Sequence, residues 1–115
     1  MATRKRLTRD DILQAKDIVQ EEVFVPAWGG TVLVQSLSGK ARADIFADCM
    51  NDRGKMDSAK LYPLLMIGGC VEPKFSGKDV ALLNERNSGA LETVCKVIMR
   101  LSGISSDDLE QAEKN

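Results

Sequence analysis

No histidine occurs in this chain of 115 residues. That absence removes the usual general base, the usual activator of a serine or cysteine nucleophile and the commonest metal ligand together. Carboxylate-only or lysine chemistry stays open. Cysteine is scarce too: Cys49, Cys70 and Cys95 are odd in number, far apart and without a Cys-x-x-Cys pair. Such spacing argues against a disulfide framework or a zinc site and for buried free thiols in a reducing cytoplasm. No excess of either charge is present, since the net charge is −1, so the whole chain has no strong pull toward nucleic acid or anionic lipid. The local exception is the basic tip Arg4-Lys5-Arg6 with Arg9, for which a solvated terminus is the simpler account. No apolar run approaches the ~20 residues that span a bilayer. The longest, Leu61 to Val71, is broken by Pro63, Gly68 and Gly69. The N-terminus has positive charge but no apolar core, so it does not read as a secretory signal.

What is present suits one soluble domain: 43 % hydrophobic and 29 % charged residues over a length fit for a single core. The expected fold is α+β, an N-terminal β-hairpin packed against four to six mostly short α-helices. One domain over residues 1–115 is expected, with residues 1–7 flexible. The hairpin is the most distinctive stretch, Glu22 to Gln35. Two β-rich runs flank Pro26, the only tryptophan (Trp28) and the pair Gly29-Gly30. Alternation places Val23 and Val25 on one face and Phe24 on the other. In the second run Val32 and Val34 oppose Thr31, Leu33 and Gln35. A lone hairpin is marginal in water, so it must pack on helices or join a neighbouring subunit's sheet. Self-association is therefore expected.

Helix signals dominate the rest. Thr8-Arg9-Asp10-Asp11 has capping-box form, with a short helix to about Ala15. Ser38 caps a helix over Gly39 to Met50, with Ala43, Phe46, Ala47 and Met50 on one side. Met56 to Val71 is ambiguous: a kinked or late-starting helix capped by Asp57 or Ser58, or a buried strand, because Pro63 opposes a regular helix. Gly68-Gly69 should end it, and Val71 to Lys74 reads as loop. Ser76-Gly77-Lys78-Asp79 opens a helix to about Arg86, and Asn87 or Ser88 caps the next. There Leu91, Val94, Cys95, Ile98 and Leu101 follow helical spacing closely. Gly103 and Ile104 fit a Schellman stop. A last acidic helix should run from Asp107 to about Glu113.

The candidate chemical sites each have a simpler account. Ser38-Gly39-Lys40 and Ser76-Gly77-Lys78 lack the leading glycine of a phosphate loop and read as helix starts. Asp10-Asp11 and Asp107-Asp108 suit helix N-termini, and Glu21-Glu22 a solvated strand edge. Lys60, Lys78 and Lys96 carry no sign that separates a reactive amine from a surface lysine. Met50, Met56, Met66 and Met99 suit either an adaptable binding surface or ordinary core filling. Trp28 either folds back as a lid on the core or stands out as a partner anchor. No cofactor and no metal site is expected.

Read in order, several elements carry a resemblance. They are Asp10-Asp11-Ile12-Leu13, Val23-Phe24-Val25-Pro26-Ala27-Trp28-Gly29-Gly30-Thr31-Val32, Leu37-Ser38-Gly39 and Ala59-Lys60-Leu61. Lys74-Phe75-Ser76, Asp79-Val80, Asn87-Ser88, Ala90-Leu91-Glu92 and Leu101-Ser102-Gly103-Ile104 follow. From about Thr8 onward the chain resembles the small tail assembly chaperones of long-tailed bacteriophages and prophages. It departs from them at Ala27, where an acidic residue is usual, near Gln35-Ser36, where arginine is usual, and at Pro63, inside a usually uninterrupted helix.

The resemblance implies a non-enzymatic protein of the host cytoplasm, without nucleic-acid or membrane partners. It would coat apolar helical segments of the tape-measure protein, help recruit tail-tube subunits and be absent from the finished virion. Phe24, Trp28, Leu64, Leu65 and Val97 are the residues expected to touch the partner. A longer form made by a ribosomal slip is a further expected partner, because Glu113-Lys114-Asn115 is compatible with codons that contain a slippery run. The competing reading is a minor head or tail protein retained in the virion. A third, a small carboxylate-dependent enzyme, needs acidic residues converging in a cleft.

Overall fold

Five of the six helices among the described residues, all but α4, begin where a short polar side chain satisfies a free N–H group of the first turn. In a computed structural model, which describes residues 4–114, Thr8 Oγ1 accepts from Asp11 N–H (3.1 Å) and Asp11 returns the bond to Thr8 N–H (2.9 Å). This opens helix α1, Arg9–Leu13. Ser38 caps α2, Gly39–Cys49, and Asp57 caps α3, Ser58–Gly69. Ser76 N–H donates to the Asp79 carboxylate (2.8 Å) ahead of a 3₁₀ turn, Gly77–Asp79, and α4, Val80–Asn84. Asn87 caps α5, Ser88–Leu101. Ser105 and Asp108 exchange bonds at the start of α6, Ser106–Lys114.

Helix α5 stops as its sequence requires. Gly103 takes φ +70°, Ile104 N–H donates to the Met99 carbonyl (2.8 Å) and Gly103 N–H to that of Arg100 (3.2 Å). Both bonds of a Schellman motif are made. Ile104 is buried beside them.

Strands β1, Gln20–Val25, and β2, Gly30–Gln35, form the expected hairpin, in register from Gln20↔Gln35 to Val25↔Gly30. A third strand, β3 (Cys70–Glu72), pairs antiparallel with β2 across an irregularity at Leu33/Val34. The sheet order is β1-β2-β3. The architecture is thus α+β, a small antiparallel sheet and six helices among the described residues.

Two expectations need correction. The segment from Met56 to Val71 is helix and then strand, so both alternatives hold on successive residues. Val71 and Glu72, expected to be loop, continue the sheet from Cys70, which buries itself beside Val34. On α2 the buried residues are Ile45 and Cys49; of the expected face Phe46 and Met50 are half-buried, and Ala43 and Ala47 are exposed. The helix is rotated because Ile45 is the larger apolar group, and its burial outweighs that of two alanines.

The core lies between the sheet's inner face and the two long helices. Val23, Val25, Val32, Val34 and Cys70 meet Leu91, Val94, Cys95 and Ile98 of α5 and Leu61, Leu65 and Met66 of α3. Close approach there needs Gly69. A Cβ on it would stand 2.6 Å from Ile98 Cδ1. Pro63 sits inside α3, fully buried, and cannot donate to the Ala59 carbonyl. Asn84 of α4 makes the missing bond, its Nδ2 donating to that carbonyl at 2.7 Å. Three cross-links tie the ends together. Leu37 N–H donates to Ser102 Oγ (2.8 Å), Val19 N–H to Ser36 Oγ (2.9 Å) and Met56 N–H to the Glu113 carboxylate (2.8 Å).

Candidate docking surface at the hairpin tip

The hairpin turn is a single 3₁₀ turn, Pro26–Trp28, with proline in its first position. Proline presets the backbone there. Gly29 N–H closes the turn onto the carbonyls of Val25 (3.0 Å) and Pro26 (3.1 Å). The turn aims Trp28 toward the loop and short helix that follow β3. Its ring, Phe75, Leu83 and Arg86 line a shallow, almost wholly apolar cavity of ≈ 230 Å³. Phe75, Leu83 and Arg86 also line a second depression of ≈ 350 Å³ with Asp79 and Leu82. The two form one apolar patch. Leu83 is its buried floor, while Trp28 and Leu82 stay 36 % and 61 % exposed.

Trp28 is packed and exposed at once. It rests beside Phe75 and Leu83, and more than a third of its surface faces outward. Arg86, 3.9 Å from Glu85, gives the patch a charged edge.

The five residues expected to touch a partner are not brought together. Phe24 is 62 % exposed on the outer face of the sheet, away from the core, opposite Thr31. Leu64 and Val97 are half-buried and packed against the core. Leu65 is wholly buried, so it is a packing residue and not part of a surface. It stands on the inward side of α3, where helical periodicity alone does not separate core from docking face. Only Trp28 belongs to the apolar patch. Phe75, Leu82 and Leu83, which complete the patch with Trp28, are not among the partner residues the sequence singled out.

The other candidates resolve into structural roles. Ser38 Oγ accepts from Ala41 N–H (3.1 Å), and Lys40 reaches Asp44 (2.7 Å). Asp10 and Asp11 lie in the first turn of α1, and Asp107 and Asp108 in that of α6. Backbone N–H groups hold two of these carboxyls below the usual carboxylate range, that of Thr8 for Asp11 and that of Ser105 for Asp108. Glu21 pairs with Arg100 of α5 at 2.6 Å. Among the described residues, no three acidic or cysteine side chains group as metal ligands would. Lys96 is shifted up by its hydrogen bond to Glu92, the direction opposite to a reactive amine. Met66 is wholly buried, Met56 and Met99 are half-buried and packed against the core, and Met50 pairs with Met56 across a tight loop. No helix of the described residues is long and apolar enough to cross a membrane.

Comparison of the chain with protein-family models, with curated proteins and with solved structures gave no match.

Proposed function

We propose that the protein is a tail assembly chaperone of a long-tailed bacteriophage or prophage. In this reading it acts in the host cytoplasm, covers apolar helical segments of the tape-measure protein, helps recruit tail-tube subunits and leaves before the virion is complete. The observation that carries the proposal is the apolar patch of Trp28, Phe75, Leu82 and Leu83. Its position adds support. Trp28 comes from the Val-Pro-x-Trp-Gly-Gly stretch and Phe75 from Lys-Phe-Ser, two of the segments on which the resemblance rests.

The physical fit is direct. A long helical chain with unpaired apolar stripes aggregates unless those stripes are covered. A shallow apolar depression with a charged edge can take an amphipathic helix and release it, because its area is small. Co-expression with the tape-measure protein from the same genome tests this. The chaperone keeps that protein soluble and co-purifies with it, and mass spectrometry finds no chaperone in purified particles. Insoluble tape-measure protein with no complex contradicts the proposal. Stoichiometric retention in particles favours a minor structural protein instead.

A further inference from the structure

The segment before β1 is built like a ligand with nothing to bind. Leu7, Ile12, Leu13, Ile18 and Val19 are five large apolar side chains within thirteen residues, and every one is exposed. No residue of α1 is buried, and Ile12 and Leu13 stay 59 % and 63 % exposed. Yet α1 is fully capped at its start, so this is ordered backbone that offers an apolar face. The molecule is correspondingly drawn out. Its radius of gyration is 15.8 Å and its extents are 49 × 38 × 25 Å. A compact domain of about this length has a radius of about 13 Å. A soluble monomer rarely leaves so much contiguous apolar surface open.

A groove of matching character lies between α2 and α6. Ala43, Phe46 and Ala112 line it, with Arg42, Asp108 and Gln111, over ≈ 300 Å³. Its one cation is already engaged: Arg42 lies 5.3 Å over the Phe46 ring and 3.9 Å from Asp108. Helix α6 carries Asp107, Asp108, Glu110 and Glu113; of these Asp108 lines the groove, and Glu113 accepts from Met56 N–H (2.8 Å). The arm is complementary. Arg4, Lys5, Arg6 and Arg9 flank Leu7; Lys5 lies 3.2 Å from Asp11 and Arg9 3.7 Å from Asp10 of the same arm, which leaves Arg4 and Arg6 to face a partner.

We propose that the N-terminal arm, residues 4–19, docks its apolar side chains into the α2–α6 groove of a second copy of this chain. Each copy offers one arm and one groove, so the contact propagates until every arm is seated, as a reciprocal pair or a closed ring. The contact is heterologous, arm to groove, and its charge component weakens with salt. It uses neither Trp28 nor Leu82 and leaves the hairpin-tip patch open.

Complementary variants test it by light scattering on size-exclusion chromatography. Ile12→Asp/Leu13→Asp disables the arm, and Ala43→Arg blocks the groove with bulk and like charge. All three positions are exposed, so circular dichroism and thermal melting should match the parent chain. The parent should run as a multiple of 12.6 kDa, and each variant alone as a monomer. Mixing the two variants unites one intact arm with one intact groove and should give a 1:1 heterodimer. A monomeric parent, variants that assemble like the parent, or a mixture that stays monomeric would each overturn the proposal.

Discussion

At the scale of single residues, Gly69 and Ile98 make the sharpest statement about the core. The space that a Cβ on Gly69 would need is held by three atoms of Ile98, at 2.6, 2.7 and 2.8 Å. Ile98 is wholly buried and stiff at its branch point. Gly69→Ala should therefore lower stability by roughly 1–3 kcal/mol in urea unfolding. Ile98→Val in the same chain should restore part of that loss, a coupling that two independent sites would not show. The thiols make a second residue-scale prediction. Burial, joined at Cys49 by the nearby Asp48 and Asp57 carboxylates, pushes Cys49 up to about 11. Burial also pushes Cys70 up to about 12, and raises Cys95 further with help from Cys70. The folded state thus keeps protons that the unfolded chain releases above the ordinary thiol value of 9.0. Stability should be undiminished below that pH and fall as pH rises through it toward 11 and 12. The urea midpoint measured against pH checks this, and the near-isosteric Cys70→Val should flatten the decline. At neutral pH the native protein should resist iodoacetamide until it unfolds.

At the scale of elements, the sequence was most legible where local chemistry decides. Thr8, Ser38, Asp57, Asn87 and Ser105 all cap helices, and Gly103-Ile104 closes α5, because these devices act within a few residues. The alternation of Val23, Phe24 and Val25 likewise set the faces of the hairpin. Legibility failed where distant groups decide. Strand β3 is three residues long and exists because β2 stands beside it. The rotation of α2 depends on where Ile45 finds α3, and Gly68 leaves room for it, since a Cβ there would lie 3.1 Å from Ile45 Cδ1. Pro63 is the instructive case. Local rules speak against a helix through it, and the helix persists because Asn84, 25 residues from Ala59, supplies the donor that proline lacks. Asn84→Ala should cost about 0.5–1.5 kcal/mol, measured by urea unfolding. In a Pro63→Ala background the residue-63 N–H takes the Ala59 carbonyl, and the same substitution should then cost less. Equal costs in both backgrounds would mean that Asn84 does not compensate for the proline.

At the scale of the whole molecule, the core takes one side of the sheet and the inward sides of the two long helices, and three apolar surfaces remain besides the α2–α6 groove. They are the outer sheet face with Phe24, the N-terminal arm and the hairpin-tip patch. The candidate site was only partly legible. Trp28 could be chosen from the sequence because an indole in a turn has few reasons to be there. Phe75 and Leu82 could not, because they join Trp28 only after β3 and α4 fold back past the hairpin. Leu65 shows the reverse failure, a helical-face leucine that the packing of α3 turns inward. The proposed chaperone function rests on the hairpin-tip patch accepting an apolar helix. Trp28 is the only tryptophan, so its emission reports that event without a label. The decisive measurement is a fluorescence titration of this protein with apolar helical segments of the tape-measure protein, alongside the exposed-site variant Leu82→Glu. A saturable blue shift that weakens at least about tenfold in the variant, a loss of about 1.4 kcal/mol, is the predicted result. No shift in the parent chain, or equal affinity in the variant, would contradict it.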